Sequence, residues 1–330
     1  MSAQHGNDER LIVNCIPVDE ADRRRFVEAA DGVDIRFCGS LEHYGDMKVK
    51  AQIPEDLRAR ATAVLGNFDP VLAPQFAKLE WLQTWSAGVD AYIAPGVLPE
   101  GVRITSATGA YGQSVGEHMI AMMWALMKNF TLYARDQAAH RWKDEGTVLT
   151  PAGATALVVG TGDIGSHFAA LAKGAGMRTV GVRRSASKPV DGIDEMHGFD
   201  ELDALLPQAD VVALSLPRAA DTHHLLDARR LALLKASAIV INGGRGDAVD
   251  DDALADVLAH GAIRGAGLDV FETEPLPEDH PLWCQPRCLI TPHVAGGSHL
   301  ASNDARIIDI AVANVSRYVH GEPLRDQAHR

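Results

Sequence analysis

Three features of the sequence predict an α/β fold built as two Rossmann-like domains. A short apolar run at 156–159 leads into Gly160-Thr161-Gly162-Asp163-Ile164-Gly165, then a helix pattern at 164–175 and a second apolar run at 179–182. Six apolar runs follow one another from this point, at 156–159, 179–183, 211–214, 238–242, 265–270 and 288–290. Five more strand patterns (11–16, 34–37, 61–65, 81–85 and 102–104) precede it, with a helix pattern at 19–30 between the first two. Six strands complete one doubly wound parallel sheet, so the leading five form a second, smaller flavodoxin-like layer.

The glycines carry the first chemical inference. Strand, glycine-rich turn, helix and strand is the setting in which a dinucleotide pyrophosphate binds. Gly160 permits the tight turn and Gly162 a close backbone approach. Gly165 lets helix and strand pack, while Asp163 and Ile164 open the helix whose N-terminus faces the phosphates. Phe168, Leu171 and Ala172 form the inner face of that helix. An acid that binds a ribose 2′-hydroxyl belongs at the end of the second strand. This sequence has Arg183-Arg184-Ser185 there. Guanidinium groups pair with a 2′-phosphate that a carboxylate would repel, so NADP(H) is preferred over NAD(H).

Other segments frame these two sheets. Ser114-Val115-Gly116-Glu117 reads as a capping box that opens an apolar helix to about Asn129, buried between domains or against a second subunit. A last amphipathic helix at 302–319 returns to the leading layer. The expected domains are 1–106 with 297–330, for substrate, and 107–296, for the dinucleotide. Crossings near Ser106 and Gly296 would hinge a cleft.

Composition narrows the class. The chain has 330 residues and a net charge of -13, which argues against nucleic-acid or anionic-membrane partners. Its N-terminus is polar to Arg10, unlike a signal peptide, and the apolar run 119–127 is too short to span a bilayer. Cys15, Cys38, Cys284 and Cys288 form no C-x-x-C pair. They are read as reduced thiols of a cytoplasmic protein that binds no metal.

Three polar residues fall just beyond strand ends, at the edge where open α/β sheets bind ligands. They are Arg245, Glu274 and His293. An arginine clamps a carboxylate, a histidine exchanges a proton near neutral pH, and a glutamate beside it stabilises imidazolium.

Asn242-Gly243-Gly244-Arg245-Gly246, Gly267-Leu268-Asp269-Val270-Phe271-Glu272-Thr273-Glu274-Pro275 and Thr291-Pro292-His293-Val294-Ala295-Gly296 resemble the signature segments of the D-isomer-specific 2-hydroxyacid dehydrogenases. Trp85-Ser86-Ala87-Gly88-Val89-Asp90 resembles that family's substrate loop, and Val115-Gly116-Glu117-His118 its domain-crossing helix. The resemblance implies hydride transfer between a nicotinamide and a 2-ketoacid or D-2-hydroxyacid. Arg245 would bind the substrate carboxylate and carbonyl, His293 would donate the proton, and Glu274 would keep His293 charged. Backbone N–H groups at Ala87 and Gly88 would hold the carboxylate from the other domain, and closure would expel water. Leu216 and Pro217 would line the adenosine side, and Asp269 would face the nicotinamide. Gly243, Gly244, His293, Ala295 and Gly296 would complete the cofactor contacts. Phe68, with Trp283 and Tyr44, would shape the substrate side-chain pocket.

Glyoxylate, hydroxypyruvate and branched or aromatic 2-ketoacids all fit this reading. So do two alternatives, a nucleotide-sensing interaction protein and a dehydrogenase of another small anion such as phosphite. The resemblance and the apolar helix both point to a homodimer.

Overall fold

The computed structural model describes residues 9–40, 50–185, 188–297 and 300–328. The chain divides into two compact units, Met1–Tyr111 with Gly297–Arg330, and Gly112–Gly296.

The first unit holds five parallel strands: β1 (Leu11–Asn14), β2 (Asp34–Phe37), β3 (Ala63–Leu65), β4 (Trp81–Gln83) and β5 (Arg103–Thr105). Their order, β2-β1-β3-β4-β5, is the flavodoxin-like order. β1, β3 and β4 are buried along their whole length, which is why they are written in Leu, Ile, Val and Trp rather than in alternation. Asp19 caps the helix Glu20–Ala29 by accepting the Asp22 N–H at 2.8 Å. The final helix, Ala301–Val319, belongs to this unit. Tyr318 stacks on Trp81 with ring centroids 5.1 Å apart, and Asn314 donates to the buried Gln83 at 2.8 Å. That contact continues through Thr105 Oγ1, which accepts from the Trp81 indole, so helix and sheet share one satisfied polar network.

The second unit holds seven parallel strands, one more than the apolar runs predict. They are β6 (Thr155–Val159), β7 (Arg178–Val182), β8 (Glu195–His197), β9 (Val211–Leu214), β10 (Ile239–Asn242), β11 (Gly265–Leu268) and β12 (Cys288–Ile290). The order is β12-β11-β10-β9-β6-β7-β8. The additional strand is β8. It is three residues long, polar and at the sheet edge, so no apolar run announces it.

Other local readings are corrected by the structure. The apolar helix begins at Gly112 rather than at a Ser114 cap, and the Gly112 N–H is satisfied by the Asp163 carboxylate at 2.8 Å. It ends at Met127, where Asn129 takes a left-handed φ of 59° and turns the chain into a second helix, Phe130–Ala138. The first of these helices packs on its own sheet, where glycines leave the room. A Cβ on Gly243 would lie 2.8 Å from Met119 Sδ, one on Gly267 2.9 Å from Met122, and one on Gly265 3.2 Å from Leu126. Each Met or Leu buried this way stabilises the unit by about 1.5–3 kcal/mol. On the helix Asp163–Gly174, Phe168, Ala169 and Ala172 are buried, whereas Leu171 faces outward at 40% exposure.

Candidate active site

In the second unit the chain runs β6-β7-β8 to one side of the sheet and β9 to β12 to the other, so β6 and β9 flank the point where strand order reverses. Such a reversal opens a crevice at the carboxyl ends of the strands. A cavity of about 430 Å³ lies there, and Gly160, Gly162, Arg183, Arg184, Ser185, Leu216 and Pro217 all line it.

The turn after β6 is built for close approach. Gly160 has φ +92°, and its carbonyl accepts from Ser215 Oγ at 2.6 Å. A Cβ on Gly165 would collide with that same carbonyl. A Cβ on Gly162 would meet nothing within 4 Å, so open space lies in front of its backbone. Asp163 commits its carboxylate to Gly112 and His167, leaving its backbone at the helix N-terminus to face a ligand. Thr161 Oγ1, also in the cavity wall, is buried without a hydrogen-bond partner. An orphaned donor beside an open glycine turn fits a phosphate-bearing cofactor. Thr161, Phe199, Ser215 and Thr222 line the cavity without having been singled out as contacts from sequence.

The two arginines differ. Arg184 forms a two-pronged ion pair with Asp221, at 2.7 and 3.0 Å, which raises its pKa first through those hydrogen bonds and then through charge. Arg183 lines the cavity, and no acidic partner meets its side chain among the described residues. Among the described residues, no carboxylate side chain lines the cavity.

A second group surrounds the ends of β10, β11 and β12. Asn242, 1% exposed, accepts the Gly244 N–H at 3.1 Å and donates to the Arg245 carbonyl at 3.0 Å, which fixes the turn that presents Arg245. A Cβ on Gly244 would fall 2.6 Å from the Leu216 backbone nitrogen, so this turn abuts the cavity wall. His293 Nδ1 lies 2.8 Å from Glu274 Oε2, and the other Glu274 oxygen accepts the Phe271 N–H at 3.0 Å. His293 takes a left-handed φ of 55°, sparsely populated by non-glycine residues.

Electrostatics tie these three together. The hydrogen bond that His293 donates to Glu274 raises the His293 pKa, opposed by burial and helped by the charges of Glu274 and Asp269, while Arg245 lowers it. Burial pushes Glu274 upward, but the His293 and Phe271 hydrogen bonds and the His293 and Arg245 charges leave it below the usual carboxylate range. The arrangement stabilises a glutamate–imidazolium pair with the His293 side chain still 48% exposed.

Asp269 is 3% exposed and fully committed. It accepts from Thr291 Oγ1 at 2.5 Å and from the Val294 and Ala295 N–H groups at 3.0 Å each, so it shapes the loop that carries His293. His118 Nε2 reaches Thr291 Oγ1 at 3.0 Å. Neither His118 nor Thr291 was readable as a partner of Asp269, because the three come together only through the fold. The loop carrying Glu274 is anchored in turn: Glu272 N–H donates to Asp251 at 3.0 Å, and the Glu272 carboxylate pairs with His224 at 2.9 Å and His223 at 3.4 Å. Burial raises the Asp251 pKa to about 6. Among the described residues His223, His224 and Glu272 are the group of potential metal ligands that lies together.

In the first unit, Asn67 and Ser86 brace the loop of Ala87 and Gly88: Asn67 donates to Ser86 Oγ at 3.0 Å, and Ser86 Oγ donates to the Gly88 carbonyl at 2.6 Å. Phe68 is corrected. It has no exposed surface and packs against Phe76 and Tyr92, at 4.5 and 5.4 Å, so its ring has no face to offer a substrate. Trp283 is 51% exposed, with its indole N–H on the Pro277 carbonyl, and Tyr44 lies outside the described residues.

Residues 120–295 match the family model described as D-isomer specific 2-hydroxyacid dehydrogenase, NAD binding domain. The chain belongs to this family. It is therefore an oxidoreductase that uses a nicotinamide dinucleotide. Over 263 residues it is 32% identical to glyoxylate/hydroxypyruvate reductase B of Pectobacterium carotovorum subsp. carotovorum, covering 78% of this chain and 81% of that one. A D-isomer specific 2-hydroxyacid dehydrogenase family protein of Aeromonas salmonicida superposes with TM-score 0.80 at 31% identity, over 98% and 99% of the two chains. A D-isomer specific 2-hydroxyacid dehydrogenase of Xanthobacter autotrophicus, in complex with NADPH and MES, superposes with TM-score 0.76 at 26% identity, over 97% and 98%. Among the described residues, no helix is long and apolar enough to cross a membrane.

Proposed function

We propose that this dehydrogenase reduces small 2-ketoacids, glyoxylate or hydroxypyruvate among them, to D-2-hydroxyacids with NADPH as the preferred cofactor. The observation that carries the reading is the His293–Glu274 pair at 2.8 Å on the strand edge that also presents Arg245. The nicotinamide, when bound, supplies the hydride. His293, held as imidazolium by Glu274, gives a proton to the carbonyl oxygen. Arg245 clamps the carboxylate and turns the carbonyl toward His293. Ala87 and Gly88 are assigned a second hold on the carboxylate through their backbone N–H groups. The wall formed by Gly160, Gly162, Leu216 and Pro217 would hold the dinucleotide, with Gly165 keeping the helix close behind the Gly160 turn. Gly243, Gly244, Asp269, Ala295 and Gly296 would border its nicotinamide end.

The cofactor preference rests on Arg183 in a cavity wall without carboxylates. A 2′-phosphate there would gain a charge-assisted hydrogen bond. Arg183→Ala is expected to cut kcat/KM for NADPH roughly 10- to 100-fold, the worth of one such bond, and to leave NADH nearly unchanged. Equal losses with both cofactors would show that Arg183 does not read the phosphate.

The pH profile tests the proton donor. Reduction needs His293 protonated, so the rate should fall as pH rises through its pKa. Glu274 raises that pKa. In Glu274→Gln the falling limb of kcat should therefore move to lower pH. A limb that stays in place would sink the pairing as the source of the charged donor.

A homodimer is the proposed assembly. Trp124, Phe130, Trp142 and Val148 are large apolar side chains left exposed within one stretch of the second unit, with Trp142 fully so. Light scattering of Phe130→Asp/Trp142→Asp is expected to give the monomer mass where the native chain gives the dimer. An unchanged mass would place the interface elsewhere.

A further inference from the structure

We propose that Cys15 and Cys38 form a peroxide-responsive dithiol site that closes reversibly to an intramolecular disulfide. Cys15 follows β1 and Cys38 follows β2, whose parallel register pairs Asn14 with Phe37. One residue beyond the last registered pair, Cys15 and Cys38 are the next opposed positions, beside the bond that the Cys38 N–H donates to the Asn14 carbonyl at 2.8 Å. Opposed residues of parallel strands leave the sheet by the same face. Strands separated by about 4.8 Å fall within the Cα spacing of about 4.4–6.8 Å that a disulfide spans.

The two chains remain close past this pair. A Cβ on Gly39 would lie 2.6 Å from the Ile16 carbonyl oxygen, and one on Gly66 would lie 3.1 Å from Cys15 Cβ, so Cys15 is held from both sides. The ionisation of each thiol is coupled to the other. Their burial is unequal: Cys15 is 2% exposed, whereas Cys38 is half-buried. The outer sulfur can meet an oxidant and the inner one can resolve it. The Cys15 thiol draws the Cys38 pKa down to about 7, against burial and the charge of Asp56, which puts the nucleophilic thiolate on the accessible residue.

The chemistry balances with a hydroperoxide as oxidant. The Cys38 thiolate attacks one peroxide oxygen, the O–O bond breaks, and hydroxide leaves a sulfenic acid behind. Cys15 sulfur then attacks Cys38 sulfur. The S–S bond forms as the S–O bond breaks, and the departing hydroxide takes the Cys15 proton as water. Two thiols lose two electrons, and hydrogen peroxide ends as two waters. A thiol reductant restores the pair.

The test is intact-mass and peptide-map spectrometry on the full chain after two molar equivalents of hydrogen peroxide at neutral pH. The expected product has lost two hydrogen atoms and contains a reductant-sensitive peptide linking Cys15 to Cys38, with Cys284 and Cys288 still free to alkylate. Cys15→Ser should instead leave Cys38 to proceed to sulfinic acid. The proposal is overturned if native Cys38 ends as sulfinic acid, if Cys284 reacts in its place, if neither thiol reacts, or if Cys15→Ser behaves like the native chain. The native peptide map alone decides the matter should the variant not fold.

Discussion

His293→Ala is expected to lower kcat for 2-ketoacid reduction by roughly 10²- to 10⁴-fold, the usual contribution of a positioned proton donor. Loss of the imidazole removes the only group of the trio that can be charged at neutral pH and still give up its proton. A guanidinium is not a proton donor in such a step, and Glu274 is held ionised by the partners described above. Cofactor affinity should change little, because the nucleotide cavity is built from the ends of β6, β7 and β9, whereas His293 follows β12. Steady-state kinetics with a fluorescence titration of NADPH separate the two effects. Unchanged turnover, or a loss of NADPH binding as large as the loss of rate, contradicts the assigned role.

Arg245→Ala is expected to cost roughly 10²- to 10³-fold in kcat/KM for the ketoacid, from the loss of two charge-assisted hydrogen bonds. The effect should fall on both kcat and KM, because the clamp binds the carboxylate and also aims the carbonyl. Arg245→Lys keeps the charge but not the planar fork, and should recover only part of the loss. His293 gives this variant a second readout. Arg245 lowers the His293 pKa, so without it the falling limb of the pH profile should move upward, opposite to the shift in Glu274→Gln. Full activity in Arg245→Lys would leave only a point charge for Arg245 to supply.

These residues were legible in the sequence because each follows a strand whose apolar run is unmistakable. Val211-Val212-Ala213-Leu214 and Ile239-Val240-Ile241 are buried throughout, and short turns leave little freedom in where the next polar residue points. The Gly160 turn was legible for the same reason. What escaped was whatever depends on contact across the chain. β8 carries no apolar pattern. The start of the helix Gly112–Met127 is set by Asp163, 51 residues on, rather than by a local cap. Phe68 reads as a pocket aromatic, yet the 3₁₀ turn Pro70–Gln75 after it brings Phe76 across to enclose it. Asp269 reads as a ligand-facing acid, but its hold on the 291–295 loop through three donors is set by the fold and has no local signal. Arg183 and Arg184 are indistinguishable as a string. Asp221, from a distant loop, separates them by engaging one and leaving the other to the cavity.

The most direct measurement is the rate of reduced-nicotinamide consumption by the purified chain across a panel of 2-ketoacids, glyoxylate and hydroxypyruvate included, with NADPH and NADH in parallel. Turnover with at least one 2-ketoacid, higher in kcat/KM with NADPH and lowered roughly 10²-fold or more in His293→Ala, is the predicted result. Consumption with no 2-ketoacid in the panel, or turnover that His293→Ala leaves intact, would contradict it.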